Sequence, residues 1–188
     1  MRIENVEEPV IFDTDCLLAF ASVEGGLDLI AELFPSAATT TFVLEEIRYR
    51  SHAAHANILN AIKRGRLGTY QMPPGDEAQP MFEELTDPKR ALTPGLKVLG
   101  DGEAAAIAFV KTGGGTVGSN NLSDIAALCH QEKLQFICSD DILSIAVVKG
   151  HISIGTACNM WNQIRASTRL PNYDFNEAYR RFQGGLGR

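Results

Sequence analysis

The sequence predicts an α/β protein whose central sheet is mostly parallel and has four to five strands. Short apolar or β-branched runs alternate along the chain with segments whose apolar residues recur at helical spacing. The run Val10–Phe12 is apolar throughout, which is typical of a strand buried on both faces of a parallel sheet. Polar residues, many of them acidic, follow directly after these runs. Ligands of such folds bind beyond the carboxyl ends of the strands, so these polar residues are the first candidates for a site.

Five segments are predicted as strands from their apolar and β-branched residues. Each is short and is followed by polar or turn-forming residues. In chain order they are Val10–Phe12, Thr39–Val43, Thr116–Ser119, Gln135–Cys138 and His151–Ile154, the last of which would make the fifth strand.

Helices are predicted between and after these strands, where apolar residues recur every three to four positions. The longest is predicted from about Leu44 to Arg64 and is closed by Gly65. Another follows the turn Gly100–Glu103 and ends before three glycines. The predicted helical segments are residues 27–34, 44–64, 81–85, 104–111, 124–133, 142–149, a segment around 161–164, and 175–182.

Length and composition limit the class of protein. The 188 residues are 45% hydrophobic and 21% charged, which is typical of one globular domain and excludes a disordered tail, a collagen-like fibre or a coiled coil. No apolar run approaches the ~20 residues that span a bilayer, and residues 1–9 lack the basic start and apolar stretch of a secretory signal. We therefore expect a cytoplasmic protein without a membrane partner. Reduced, buried thiols are expected at the four cysteines, which have no zinc-site spacing, Cys16, Cys129, Cys138 and Cys158.

The net charge of −6 argues against a protein that coats nucleic acid without specificity. One segment differs, because no acid occurs between Ile47 and Gly75. This segment is predicted either as a stripe that contacts phosphates or as an ordinary solvated helix face. Its basic residues are Arg48, Arg50, Lys63, Arg64 and Arg66.

The acidic residues fall where predicted strands end or predicted helices begin. Parallel strands share one carboxyl edge, so the carboxylates that follow them should converge there. Of Glu45 and Glu46, we expect Glu46 to face this edge, because Ile47 after it resumes the apolar pattern. The acids concerned are Asp13, Asp15, Glu45, Glu46, Glu103, Asp124, Asp140 and Asp141.

Converging carboxylates repel one another, and without a cation some of them must take up protons, which raises their pKa values. A divalent cation removes this conflict, and a set of oxygen ligands without Cys or His favours Mg²⁺ or Mn²⁺ over Zn²⁺. Such a cation activates water and neutralises charge on a phosphoryl group. The sequence therefore predicts hydrolysis of a phosphodiester or a phosphomonoester.

Several of these acids have an alternative interpretation as helix-capping residues. Glu103 and Asp124 lie in predicted first turns, where a carboxylate favours the helix dipole whether or not it binds a metal. Of the two acids after the fourth strand, we expect Asp141 to be the ligand and Asp140 to support it or to cap the following helix.

Five short motifs occur in a defined order along the chain. They are Val10–Asp15, Val43–Ile47, Gly100–Ile107, Ser119–Ile125 and Ser139–Leu143. This series resembles the PIN-domain family of metal-dependent ribonucleases, which includes the toxins of many bacterial toxin–antitoxin pairs. The resemblance covers about residues 10–155. It implies a three-layer α/β/α fold for these residues. The length predicts a single domain over residues 1–188, and the spacing of apolar residues after the motifs predicts a helical C-terminal extension over about residues 156–188.

The resemblance also implies the site and the activity. It places Mg²⁺ or Mn²⁺ on Asp13, Glu46, Asp124 and Asp141. A branch of the family with Gly-Glu-Ala at a helix start has an acid where Glu103 stands, so either Glu103 or Asp124 supplies the third ligand. The implied activity is endonucleolytic cleavage of single-stranded RNA by metal-activated water.

Further residues and partners follow as expectations from this activity. Asn120 and Asn121 are expected either to hydrogen-bond the substrate or to shape the edge. Basic residues, foremost Arg48 and Arg50, would carry the RNA backbone. Tyr49 or Trp161 would stack a base. The family further implies an antitoxin protein as a partner, and a homodimer.

Two other functions remain open from the sequence. One is a phosphatase of the haloacid dehalogenase type, which also begins with an apolar strand and Asp-x-Asp, and in which Asp13 would be the nucleophile. The other is a protein of the same fold that binds nucleic acid or a partner and cleaves nothing.

Overall fold

The computed structural model describes residues 5–92, 97–168, 170 and 172–184 and confirms the predicted α/β class. Five short strands form one sheet in which every pairing is parallel. The strand order is β3-β2-β1-β4-β5. The strands are β1 (Val10–Phe12), β2 (Ala38–Thr40), β3 (Gly68–Tyr70), β4 (Thr116–Gly118) and β5 (Gln135–Ile137).

Helices cover both faces of this sheet. Within the described residues they are α1 (Thr14–Ala21), α2 (Gly26–Leu33), α3 (Thr41–Arg50), α4 (His52–Lys63), α5 (Gln79–Thr86), α6 (Asp101–Gly113), α7 (Leu122–Glu132), α8 (Ser139–Val148), α9 (Ile154–Ser167) and α10 (Phe175–Gln183). A 3₁₀ helix over Pro88–Leu92 follows α5.

Successive side chains of β1 point to opposite faces of the sheet, and each face carries its own hydrophobic core. Val10 and Phe12 belong to the core beneath α1–α4 and α8–α10. Ile11 points the other way, into the core beneath α5–α7. All three β1 residues are buried, so the strand lies at the centre of a three-layer α/β/α structure.

The fifth strand is not where the sequence predicts it. The segment 151–154 forms no strand, because Ser153 caps α9 and Ile154 begins that helix. The fifth strand is instead β3, which pairs only with β2 at the edge of the sheet. All three β3 residues are exposed, so β3 lacks the buried apolar pattern by which the other strands were predicted.

The predicted helix over 44–64 is two helices. Ser51 ends α3 with an extended backbone and caps α4, its hydroxyl accepting a hydrogen bond from the amide of Ala54. The predicted second strand is also shorter, because Thr40 caps α3 and helix begins at Thr41. Helix α3 therefore begins directly at the carboxyl end of β2, which brings Glu46 close to this edge.

The C-terminal helices pack onto the core instead of extending from it. Trp161 in α9 is 1% exposed. Its ring stacks on Tyr173 with the centroids 5.4 Å apart, and its Nε1 donates to the Tyr173 carbonyl at 3.0 Å. The four cysteines carry free thiols, and three of them are buried. Among the described residues, no helix has the length and apolar character needed to cross a membrane.

Candidate functional site

Asp13 lies at the centre of the carboxyl edge. It follows β1, its amide donates to the Gly118 carbonyl at the end of β4 (2.9 Å), and it is the N-cap of α1. Its side chain is 0% exposed. Oδ1 accepts a hydrogen bond from the Cys16 amide at 2.8 Å, whereas Oδ2 has no hydrogen-bond partner among the described residues. One oxygen of this carboxylate thus caps a helix and the other is buried and available.

Burial raises the pKa of Asp13 from 3.8 to about 8. The negative charges of Glu103 and Asp15 act in the same direction, while the nearby Ser119 hydroxyl and the Cys16 amide lower the pKa by less than burial raises it. The described residues therefore supply too little positive charge to stabilise an ionised carboxylate at this position.

Glu46 is held by donors from two other helices. Its Oε2 accepts a hydrogen bond from the Thr14 hydroxyl in α1 at 2.5 Å, and its Oε1 accepts one from the Gly102 amide in α6 at 2.9 Å. A Cβ on Gly102 would lie 2.7 Å from Thr14 Oγ1 and 3.2 Å from Glu46 Oε1. The sequence predicted that Glu46 rather than Glu45 faces this edge. The geometry agrees, since Glu45 is exposed and forms an ion pair with Arg48.

Asn121 joins Glu103 and Asp124. Its Nδ2 donates to Glu103 Oε1 at 2.6 Å and to Asp124 Oδ2 at 2.8 Å. Burial raises the pKa of Glu103, and the charges of Asp124 and Asp15 add to this shift. The two acids that the resemblance offered as alternatives are therefore neighbours.

Asp124 differs from Glu103 because a cation already compensates its charge. Lys97 forms an ion pair with Asp124, and this contact is the main cause of the lowered pKa of that carboxyl. Lys97 follows the proline-rich stretch before α6, and its side chain is about half exposed. Such an exposed ion pair contributes little free energy and yields easily to a competing ion.

Asn120 connects the loops around the edge. Its Oδ1 accepts a hydrogen bond from the Ser139 amide at 3.0 Å, and its Nδ2 lies 3.5 Å from the Asp15 carbonyl. Both ends of its side chain thus contact backbone at the starts of α8 and α1, an arrangement that shapes the edge. Its role in binding substrate stays a prediction.

The two acids after β5 form a separate cluster with Cys138. Asp141 Oδ2 accepts hydrogen bonds from the amide and the thiol of Cys138, at 3.1 and 2.8 Å. Asp140 is 6% exposed and accepts from the same thiol (2.8 Å) and from the Tyr173 hydroxyl (2.7 Å). The capping contact that the sequence favoured for Asp140 therefore belongs to Asp141.

The structure connects four of the predicted acids through short contacts. The path leads from Asp13 through its neighbour Thr14 to Glu46 and Gly102, then through adjacent Glu103 and Asn121 to Asp124. Within the described residues, the one group of three acidic, cysteine or histidine side chains with all ligand atoms within 4.8 Å is Cys138, Asp140 and Asp141. The ligand set Asp13, Glu46, Asp124 and Asp141 thus stays a prediction, and its oxygens must move closer together to share one ion.

Sequence reasoning missed the residues that hold these acids in place. Thr14 and Gly102 both lie inside the quoted motifs, yet their functions depend on Glu46, which is distant in sequence. Lys97 comes from a stretch to which no role was assigned, and Ser119 is a fully buried hydroxyl next to Asp13. No local sequence pattern marks such contacts.

Basic residues lie beside the acids on α3. Arg50 forms an ion pair with Asp15, two residues after Asp13, and Arg48 pairs with Glu45 at 2.7 Å. The Arg48 guanidinium also lies over the Tyr49 ring, with Cζ 5.0 Å from its centroid. The basic segment predicted from the sequence thus begins next to the carboxyl edge.

Comparisons with family models, curated proteins and solved structures found no match to this chain. The chemistry of the donor atoms suits a divalent metal ion. The carboxylates of Asp13, Glu46, Glu103 and Asp124 are hard oxygen donors of the kind that Mg²⁺ and Mn²⁺ prefer. The buried Oδ2 of Asp13, which has no hydrogen-bond partner in the part of the chain that the structure describes, fits the same interpretation, because a cation would supply a partner.

Proposed function

We propose that this protein is a Mg²⁺- or Mn²⁺-dependent endoribonuclease of the PIN-domain type that cleaves single-stranded RNA. The observation that supports it most is the Asp13 carboxylate, which is fully buried and has one oxygen without a hydrogen-bond partner among the described residues. An ionised carboxylate in such a position is costly unless a cation compensates it. The carboxyl edge of a parallel sheet is also where ligands bind in this class of fold.

On this proposal Asp13 and Glu46 hold the cation together with Glu103 or Asp124, and Asp141 contributes from the end of β5. A bound divalent cation lowers the pKa of water and neutralises negative charge on a phosphoryl group. The protein supplies the orientation of the acids. Thr14 and Gly102 hold both oxygens of Glu46.

Two other features of the edge serve the same function. Asn121 keeps the carboxylates of Glu103 and Asp124 side by side despite their repulsion. Arg48 and Arg50 offset the repulsion between RNA and this acidic edge, since their guanidinium groups lie next to it and are half exposed.

The decisive experiment measures Mn²⁺-dependent cleavage of an unstructured RNA by the wild type, Glu46→Gln and Glu45→Gln. The two acids are adjacent on α3, but only Glu46 is held by Thr14 and Gly102. We expect Glu46→Gln to lower kcat/KM by about 100-fold and to weaken Mn²⁺ binding in calorimetry. Glu45→Gln, whose acid is exposed, is the matched control and should cleave like the wild type.

Other outcomes support the alternative functions. A wild type that binds RNA but cleaves none with any divalent ion would be a binding protein. Turnover of a phosphomonoester with a phosphorylated Asp13 would establish a phosphatase of the haloacid dehalogenase type. Equal cleavage by Glu46→Gln and Glu45→Gln would contradict the site itself.

A toxin function is a narrower form of this proposal. Expression of the wild type in a bacterial host should then arrest growth, expression of Asp13→Asn should not, and a small antitoxin should bind over the carboxyl edge. Normal growth with the wild type would contradict the toxin function and leave the nuclease proposal to be judged by RNA cleavage.

A further inference from the structure

The last turn of α3 carries an exposed aromatic ring beside the carboxyl edge. We infer that Tyr49 stacks on a base of the substrate RNA close to the scissile phosphate. This inference rests on the proposed nuclease function and deepens it, because it names a residue that binds a base where the other candidates bind a cation or phosphates.

The position of Tyr49 follows from the helix that carries Glu46. Residues three and four positions apart are neighbours on a helix surface, with Cβ atoms ~5–6 Å apart. Tyr49 and Arg50 therefore lie one turn beyond Glu46, on the side of α3 that faces the site. The ion pair between Arg50 and Asp15 shows that Arg50 lies on this side, because Asp15 is in the first turn of α1, and Tyr49 is the residue before Arg50.

The environment of the Tyr49 ring suits a flat, polarisable ligand. Tyr49 is 79% exposed, unusually high for a large aromatic side chain. One face of the ring is covered by the Arg48 guanidinium, and Arg48 Nη2 donates to the Tyr49 hydroxyl at 3.0 Å. With 79% of the side chain exposed, most of the ring stays open to solvent. A ring already held by an arginine loses little conformational freedom when a base stacks on it.

The charges around Tyr49 favour RNA over a protein partner. Arg48 and Arg50 flank it, and their side chains are 45% and 52% exposed. Their ion pairs with Glu45 and Asp15 are solvent-exposed and therefore weak, so phosphate oxygens can replace the carboxylates. A ring between two arginines matches a nucleotide, with its base on the aromatic face and its phosphates on the guanidinium groups.

The test compares the binding of a short labelled oligoribonucleotide with that of a ribose-phosphate chain of equal length that lacks bases. Binding is measured in the Asp13→Asn background, so that no cleavage interferes. We expect Tyr49→Ala to weaken binding of the oligoribonucleotide about tenfold and Tyr49→Phe to change it by less than about twofold, because phenylalanine keeps the stacking face. The difference between Tyr49→Ala and its parent should vanish with the baseless chain.

The salt dependence of RNA binding distinguishes the contribution of the Tyr49 ring from that of the arginines beside it. Arg50→Ala should reduce the slope of log Kd against log salt by ~0.7, since one phosphate contact is lost, whereas Tyr49→Ala should leave the slope unchanged. Val148→Ala removes an exposed apolar side chain at the C-terminal end of α8 and is the matched surface control. It should bind both probes like the parent.

The outcomes of these experiments distinguish a failure of the stacking inference from a failure of the proposed nuclease function. If the wild type cleaves RNA in Mn²⁺ but Tyr49→Ala binds the oligoribonucleotide like its parent, the stacking inference is wrong and the nuclease proposal stands. If Tyr49→Ala changes only the oligomeric mass, its surface is a protein interface and the inference is equally overturned. If the wild type cleaves nothing, the proposed function fails first.

Discussion

At the scale of the residue, Asp13 shows how a buried acid in the candidate site lowers the stability of the folded protein. Its carboxylate is buried beside Glu103 and Asp15, and the described residues offer Oδ2 no hydrogen bond. Folding therefore favours the protonated acid, while the unfolded chain releases the proton near its ordinary pKa of 3.8. A carboxylate in this position lowers the stability of the empty protein, and this cost is expected where a cation is to be bound.

The pH dependence of stability follows from this shift. The contribution of Asp13 is fully present below pH 3.8 and is lost as the pH rises to about 8, at ~1.4 kcal/mol per pH unit or less. Asp13→Asn removes this dependence and can still cap α1, because asparagine is a good N-cap. In metal-free buffer we expect Asp13→Asn to exceed the wild type in unfolding free energy at about pH 8 by more than at about pH 5, as measured by urea denaturation.

Asp28→Asn is the matched control, because Asp28 is an exposed acid paired with Arg66 and should show no such trend. Mn²⁺ should raise the urea midpoint of the wild type more than that of Asp13→Asn. A difference between wild type and Asp13→Asn that does not change with pH would contradict the assigned burial of the charge.

At the scale of the element, the start of α6 is built around Glu46. Its first turn brings the Gly102 amide to Oε1, and a side chain at residue 102 would enter the space of Thr14, Val43 and Glu46. The glycine that lowers helix propensity there is thus needed for the approach of α1, α3 and α6.

Gly102→Ala and Gly113→Ala test this packing within one helix. Alanine improves helix propensity by up to ~1 kcal/mol. At Gly113 a Cβ meets no described atom within 4 Å, so Gly113→Ala should be neutral or stabilising. At Gly102 the clash should outweigh this gain and destabilise the protein by ~1–3 kcal/mol. Thermal unfolding measures both, and Mn²⁺ affinity should fall only for Gly102→Ala. Equal stabilisation by both variants would contradict the close approach.

At the scale of the whole molecule, the C-terminal helices test whether the chain is one cooperative unit. Trp161, Phe175 and Ala178 belong to the same hydrophobic core as β1 and α1. The Tyr173 hydroxyl reaches Asp140 at the start of α8, so the extension also supports the loop after β5. These contacts favour the prediction of a single domain.

The single tryptophan provides the measurement. Trp161 is 1% exposed, so its fluorescence reports the docking of α9 and α10 while far-UV circular dichroism reports all helices. We expect both signals to change at one urea midpoint, and Phe175→Ala to lower that midpoint for both signals together, at a cost of ~3–5 kcal/mol. A fluorescence transition that precedes the circular dichroism transition would show that the extension unfolds by itself.

Much of the fold was predictable because buried elements leave local patterns. Val10–Phe12 is apolar throughout since both its faces are covered, and the helix after Gly100 was predicted from glycine and acid at its start. The exposed edge strand β3 was missed, because it has no buried side chain to mark it. The break at Ser51 was missed because serine caps helices but also occurs within them.

By itself, the sequence determined the α/β class, the parallel sheet and the set of acids that follow its strands, since hydrophobic periodicity and turn residues are local properties. Only the tertiary structure decided which acids contact one another. It joined Glu103 and Asp124 through Asn121, held Glu46 on Thr14 and Gly102, and turned Asp141 toward Cys138. The reason is that these contacts depend on packing distances between distant segments of the chain, and no pattern within one segment records them.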